Sequence, residues 1–95
     1  MPARVVVVHD EPDFIDRTVG ALRAAGHDVM AFSSSMSAID ALEHAQQIEV
    51  LVTRVNFPDG QPNGVSLALM TRVKKPGVKI LFAALPETQI GRAHV

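Results

Sequence analysis

The sequence predicts a doubly wound parallel α/β domain with right-handed crossovers. Three observations carry that prediction: apolar runs too continuous for half-exposed strands, segments of helical periodicity between them, and turn residues at each junction. The first run, Val5-Val6-Val7-Val8, is too short for a membrane span and too uniformly apolar for a surface strand, so it reads as a strand buried on both faces. His9-Asp10-Glu11-Pro12 follows at its C-terminal end, the edge at which open parallel sheets bind ligands. Pro12 suits the first turn of a helix, where its missing N–H is no loss. Asp10 and Glu11 have a plainer reading as helix caps and dipole partners.

Phe14, Ile15, Val19, Leu22 and Ala25 recur at helical steps and predict a helix from Pro12 to Ala25, closed by Gly26. His27 to Phe32 predicts a less buried strand at the sheet edge, with Val29 and Ala31 inward. Ser33-Ser34-Ser35 reads as a turn and N-cap. Met36, Ile39, Leu42 and Ala45, with Ala38 and Ala41, form the apolar stripe of a second helix ending near Gln47. Ile48, Val50, Leu51, Val52 and Val55 predict a central third strand, and the segment Arg54 to Gly64 is a loop rich in turn residues. A third helix is expected over Val65 to Val73, with Leu67, Leu69, Met70 and Val73 available to the core. Lys74 and Lys75 suit its negative end. After Pro76-Gly77, Val78 to Ala84 reads as a fourth strand.

Ninety-five residues make one small domain, with a core built from aliphatic side chains because the only aromatics are four phenylalanines. A net charge of −1 gives no electrostatic footprint for nucleic acid or an anionic membrane. The lack of cysteine excludes disulfides and Cys-ligated metals and is compatible with a cytoplasmic protein. His9, His27, His44 and His94 show no metal-ligand spacing, so structural or solvated histidines are expected. There is no Gly-rich phosphate loop to suggest a nucleotide-binding or flavodoxin-like ligand domain, and no Ser/His/Asp spacing for a hydrolase.

Three segments together resemble the receiver (CheY-like) domain of response regulators: Val5 to Pro12, Val50 to Pro58, and Lys79 to Ala84. The resemblance implies a flavodoxin-like sheet of order 2-1-3-4-5, and a role in two-component phosphorelay signal transduction. In that family an Asp after strand three takes a phosphoryl group from a histidine kinase. An acidic pair after strand one holds Mg²⁺, a hydroxyl ending strand four reads the phosphate, and a Lys after strand five pairs with it. Carried over position by position, the first acid is His9, the second is Asp10, the phosphoacceptor position is Arg54, and the hydroxyl position is Ala83.

A phosphoacceptor must be a carboxylate beside a metal, and guanidinium is neither nucleophile nor ligand. Mg²⁺ wants several hard oxygens, whereas this pocket loses carboxylates and gains a fixed cation. An internal Arg54–Asp10 ion pair is therefore expected where the metal would sit. Its attraction at about 4 Å would be about 4 kcal/mol before desolvation, at an effective dielectric of about 20. The remnant pocket is His9, Asp10, Glu11, Arg54 and Ala83, with no metal and no catalytic residue. Arg54 turned out into solvent is the competing arrangement.

These substitutions indicate a degenerate receiver module, cytoplasmic and not an enzyme, acting through contacts with signalling proteins such as a histidine kinase or an output domain. The alternative is a phosphorylatable, Mg²⁺-dependent receiver using Asp10 or Asp59, although Asp59 in Pro58-Asp59-Gly60 suits a turn. Ile90 to Val95 does not resemble receiver sequence and matches one reading frame of a sequencing adapter, so residues 1–89 are expected to form the domain and 90–95 a non-native tail. On that reading the fifth strand and helix are missing. Strand four, with Val78, Ile80, Leu81 and Phe82, would then be an exposed edge open to self-association.

Overall fold

A computed structural model describes residues 2–44, 47–57 and 61–83. In chain order these form β1 (Arg4–Val8), α1 (Pro12–Ala24), β2 (Asp28–Phe32), α2 (Ser35–His44), β3 (Val50–Arg54), α3 (Gly64–Lys74) and β4 (Lys79–Ala83). The strands make one parallel sheet of order β2-β1-β3-β4, so β1 and β3 are central and β2 is an edge, as the patterns require. This is the doubly wound α/β arrangement, with its described strands in the order expected.

The valine run explains the layering. Alternate side chains of a strand point to opposite faces. Val5 and Val7 pack with Val19, Val29 and the partly buried Phe14, Ile15 and Leu22 on the α1 face. Val6 and Val8 pack with Ala38, Leu42, Leu51, Leu67 and Val78 on the face covered by α2 and α3. Each fully buried valine contributes about 2 kcal/mol of hydrophobic stabilisation, so this one strand anchors both layers.

Helices α2 and α3 meet the sheet through smaller side chains than the sequence pattern indicates. In α2 the buried positions are Ser35, Ala38 and Leu42, while Met36 is exposed. In α3 they are Gly64, Leu67, Ala68 and Thr71, whereas Leu69 and Val73 point outward at 64% and 82% exposure. Ala31 of β2 is also exposed. Leu42 and Leu67 are the large side chains that these helices bury, and the other buried positions are small or hydroxyl-bearing. The expected contribution of Ala45 lies outside the described residues, as do Asp59, Ala84 and the expected tail 90–95.

The helix ends show how local chemistry fixes the boundaries. Ser34 Oγ accepts from the Ser37 N–H at 3.1 Å, the cap expected of the serine run. Asn63 Oδ1 accepts from the Ser66 N–H at 2.8 Å, so α3 begins at Gly64, earlier than expected. Gly26, with φ of 92°, turns the chain after α1. Glu11 occupies the N-cap position of α1 but its side chain makes no capping bond, so the plain capping role does not hold for it.

Gly64 sits against the end of β3 so closely that a Cβ there would lie 1.9 Å from the Arg54 carbonyl oxygen. That obstacle is backbone and cannot swing aside. Gly64→Ala is expected to destabilise the fold by about 3 kcal/mol or more. Gly20, inside α1 with nothing near its Cβ position, is the opposite case. Gly20→Ala should stabilise by about 1 kcal/mol. Urea denaturation of the two variants checks both signs, and a tolerated Gly64→Ala would mean that α3 does not start against Arg54.

Candidate functional site

The site lies at the C-terminal end of the two central strands. β1 delivers His9 and Asp10 immediately after Val8, and β3 ends on Arg54, which pairs in register with Ala83, the last residue of β4. Gly64 donates its N–H to the Val55 carbonyl at 2.7 Å, holding the backbone just beyond Arg54 against the start of α3.

Arg54 Nη1 donates to Asp10 Oδ1 in a short contact, the pair expected from the sequence, and the arrangement with Arg54 in solvent is not adopted. The side chains are 27% and 26% exposed, so solvent screens them in part. The net worth of the pair is therefore about 1 kcal/mol, well below its bare Coulomb attraction.

His9 is more deeply placed than a pocket-wall residue. It is 1% exposed, and its ring stacks on Phe14 with centroids 4.1 Å apart and planes at 23°. Its Nδ1 accepts the Glu11 N–H at 3.1 Å, which leaves the proton of the neutral ring on Nε2. Nε2 is buried with no hydrogen-bond partner among the described residues. Nδ1 also lies 3.9 Å from Asp10 Oδ1. Burial pushes the imidazole below its ordinary value of 6.5, and the Arg54 guanidinium acts in the same direction, against the smaller pull of Asp10 and Glu11. The stacking was not read from the sequence, although His9 and Phe14 flank the first turn of α1 and their spacing offered a signal.

The other predicted residues separate from this cluster. Glu11 is exposed. His27 Nδ1 accepts the Ala3 N–H at 3.0 Å at the opposite end of the sheet, and the exposed His44 bonds back to the Asp40 carbonyl of its own helix at 2.8 Å. Ala83 presents only a methyl group beside Arg54. One link was not anticipated: Gln61 Oε1 accepts from both the N–H and the Oγ of buried Ser35, at 3.0 and 3.2 Å, tying the approach to α3 onto the start of α2. Among the described residues no group of three or more His, Asp or Glu side chains could hold a metal ion, and no helix is long and apolar enough to cross a membrane.

No family model matches the sequence, and no curated protein sequence does. Solved structures do match the fold. A response regulator receiver domain protein from Clostridium thermocellum aligns at 21% identity and a TM-score of 0.73, covering 84% of this chain and 63% of that one. A CheY-like receiver domain protein from Methanospirillum hungatei JF-1 gives 19% identity and a TM-score of 0.77, covering 95% and 72%. The chemotaxis response regulator CheY4 of Vibrio cholerae gives 23% and 0.76, covering 98% and 80%. The chain thus has the fold of response-regulator receiver domains. It spans 63% of the length of the first of these structures.

The His9 geometry fixes a pH dependence. Because the folded-state value is depressed below 6.5, the ring is neutral in both states above that pH and contributes no pH dependence there. As the pH falls below 6.5 the unfolded chain takes up the proton first, so stability declines until the folded-state value is reached. Denaturation midpoints measured from neutral to mildly acidic pH should fall more steeply for the native chain than for His9→Asn, whose amide oxygen can still accept the Glu11 N–H. Equal slopes would rule out the imidazole as the source.

Proposed function

We propose that this chain is a receiver-type module of a two-component phosphorelay system that is not phosphorylated by the usual route and signals through protein contacts. The observation that carries the reading is the Arg54–Asp10 pair. The position that would carry the nucleophilic carboxylate holds a cation, and that cation occupies the one carboxylate of the pocket that would serve as a metal ligand.

The donor set does not fit Mg²⁺. Asp10 is engaged by Arg54, His9 Nδ1 accepts a backbone N–H, and Ala83 offers no oxygen from its side chain. The fixed positive charge of Arg54 would repel a divalent ion at any pH at which the fold persists. With the nucleophile position and the metal-ligand position both taken up by the ion pair, the module is a binding protein rather than an enzyme, in keeping with receiver domains as signalling modules. Its partners on this reading are other signalling proteins, a histidine kinase or an output domain, in the cytoplasm.

Two measurements test this. Incubation with a labelled small phosphodonor and Mg²⁺ should leave no acid-labile label on the chain, and titration calorimetry with Mg²⁺ and fluoroberyllate should show no saturable binding. Label on Asp10 or Asp59 would establish the phosphorylatable alternative. Arg54→Asp removes the cation and sets a second carboxylate beside Asp10, so measurable Mg²⁺ binding is expected to appear in that variant alone. A double-mutant cycle of Arg54→Ala and Asp10→Ala should give a coupling of about 1 kcal/mol.

A further inference from the structure

The net charge of −1 conceals a separation of charge along the strands. Asp10, Glu11, Asp13 and Asp16 follow β1 and occupy the start of α1, at the C-terminal end of the sheet. Arg72, Lys74, Lys75 and Lys79 close α3 and open β4, at the opposite end. Each group is large against the nine basic and ten acidic residues of the whole chain. A five-residue strand is about 17 Å long, twice the screening length of about 8 Å at physiological salt. A partner at either end therefore feels the local charge and not the net charge.

The basic end is not neutralised by its surroundings. On the β1–β2 side Arg4 pairs with Asp28 at 3.4 Å, and Arg23 donates to the Val29 carbonyl at 3.1 Å. On the α3–β4 side none of the four cations is ion-paired to a carboxylate among the described residues. Arg72 donates to the Val78 carbonyl at 3.5 Å, and Lys74 and Lys79 are exposed. Lys79 and the half-buried Lys75 line a groove of about 750 Å³ together with Ile48, Glu49, Val50 and Gly77. The opposing charge in that groove is Glu49, whose Oε1 accepts the Arg4 N–H at 3.0 Å.

We propose that this groove receives an acidic peptide segment of a partner protein, with carboxylates at Lys75 and Lys79 and an apolar side chain against Val50. The chemistry of the groove selects this class. A nucleic-acid strand brings a continuous row of phosphates that would meet Glu49, and no aromatic ring lines the groove for a base to stack on. An anionic membrane takes up protruding apolar side chains, whereas Ile48 and Val78 are only 5% and 3% exposed. A peptide can space its carboxylates to either side of Glu49. The backbone here is already paired, since Glu49 N–H donates to the Arg4 carbonyl and Lys79 N–H to the Glu49 carbonyl, both at 2.9 Å. Recognition therefore falls on side chains and on electrostatic attraction, which acts chiefly on the rate of encounter. The surface lies at the far end of the sheet from Arg54 and is independent of the reading proposed for that site.

Fluorescence anisotropy of a labelled glutamate-rich peptide with a central leucine, titrated with the 95-residue chain, should show saturable binding that weakens as salt rises. Combining Lys75→Glu with Lys79→Glu should weaken it by more than about tenfold, with circular dichroism unchanged. Glu49→Gln, whose amide oxygen still accepts the Arg4 N–H, should strengthen it. Gly77→Glu adds a carboxylate at a position where a Cβ meets nothing within 4 Å, and should weaken binding with every lysine in place. Arg17→Glu, on exposed α1, alters the net charge as much as one lysine reversal and should leave the affinity as it is. No saturation up to millimolar concentration, or an equal loss with Arg17→Glu, overturns the proposal. Equal or tighter binding of a DNA oligonucleotide or of phosphatidylserine vesicles overturns it in favour of that partner. A mass that doubles with concentration at low salt, and does not in the lysine variant, overturns it in favour of the acidic α1 of a second copy.

Discussion

The burial of β1 on both faces is the constraint on which the rest of the structure depends. A strand with four consecutive buried side chains, Val5 to Val8, must be central, because only a central strand in such an α/β sandwich has cover on both sides. Val5 and Val7 fix where α1 lies; Val6 and Val8 fix α2 and α3 on the other face. The neighbours β2 and β3 then pair to either side in parallel, and the backbone continues past Val8 through the His9 N–H, which donates to the Phe32 carbonyl at 3.1 Å. His9 and Asp10 therefore emerge at the strand end with little freedom. Their chemistry follows from the packing beneath them.

The second fixed point is Gly64. Its backbone stands against the Arg54 carbonyl, and Thr53 Oγ1 donates to the same carbonyl at 2.9 Å, so the chain leaving β3 is held from both sides. With the backbone at 54 immobile and Asp10 delivered by β1, the guanidinium reaches the carboxylate. Because the pair is partly exposed, it contributes modestly to stability and chiefly specifies an arrangement. Arginine suits this role better than lysine would, since its charge persists at any pH relevant to folding. The fixed cation also acts through space on His9, adding to burial in keeping that ring neutral.

The fold was legible because its strongest signal, continuous aliphatic runs, is also its strongest energetic term. The edge position of β2 and the central positions of β1 and β3 follow from which runs are continuous and which are mixed, whereas the full strand order was what the receiver resemblance implied. The faces of α2 and α3 were legible in part: Ala38, Leu42 and Leu67 are buried as their stripes indicate, but Ser35, Gly64, Ala68 and Thr71 also lie inward while Met36, Leu69 and Val73 face out. Ser35 is held by its bonds to Gln61 and Thr71 by its bond to the Leu67 carbonyl, partners that an apolar stripe does not reveal. In the site, the Arg54–Asp10 contact could be read because the receiver resemblance puts both positions in one pocket and their charges are opposite. The depth of His9 could not be read, because it depends on the angle at which α1 enters, and that angle is set by Phe14 packing and by the Glu11 N–H.

The charges of this pocket balance internally, with Arg54 against Asp10 and a neutral imidazole beside them. On the proposed reading that balance replaces an external ion and a phosphoryl group as the state-setting chemistry. An equilibrium held by a contact worth about 1 kcal/mol lies within reach of modest differential binding, since about 1.4 kcal/mol shifts a two-state population tenfold. A partner that engaged Arg54 or Asp10 in only one arrangement would therefore bias the module without any covalent step.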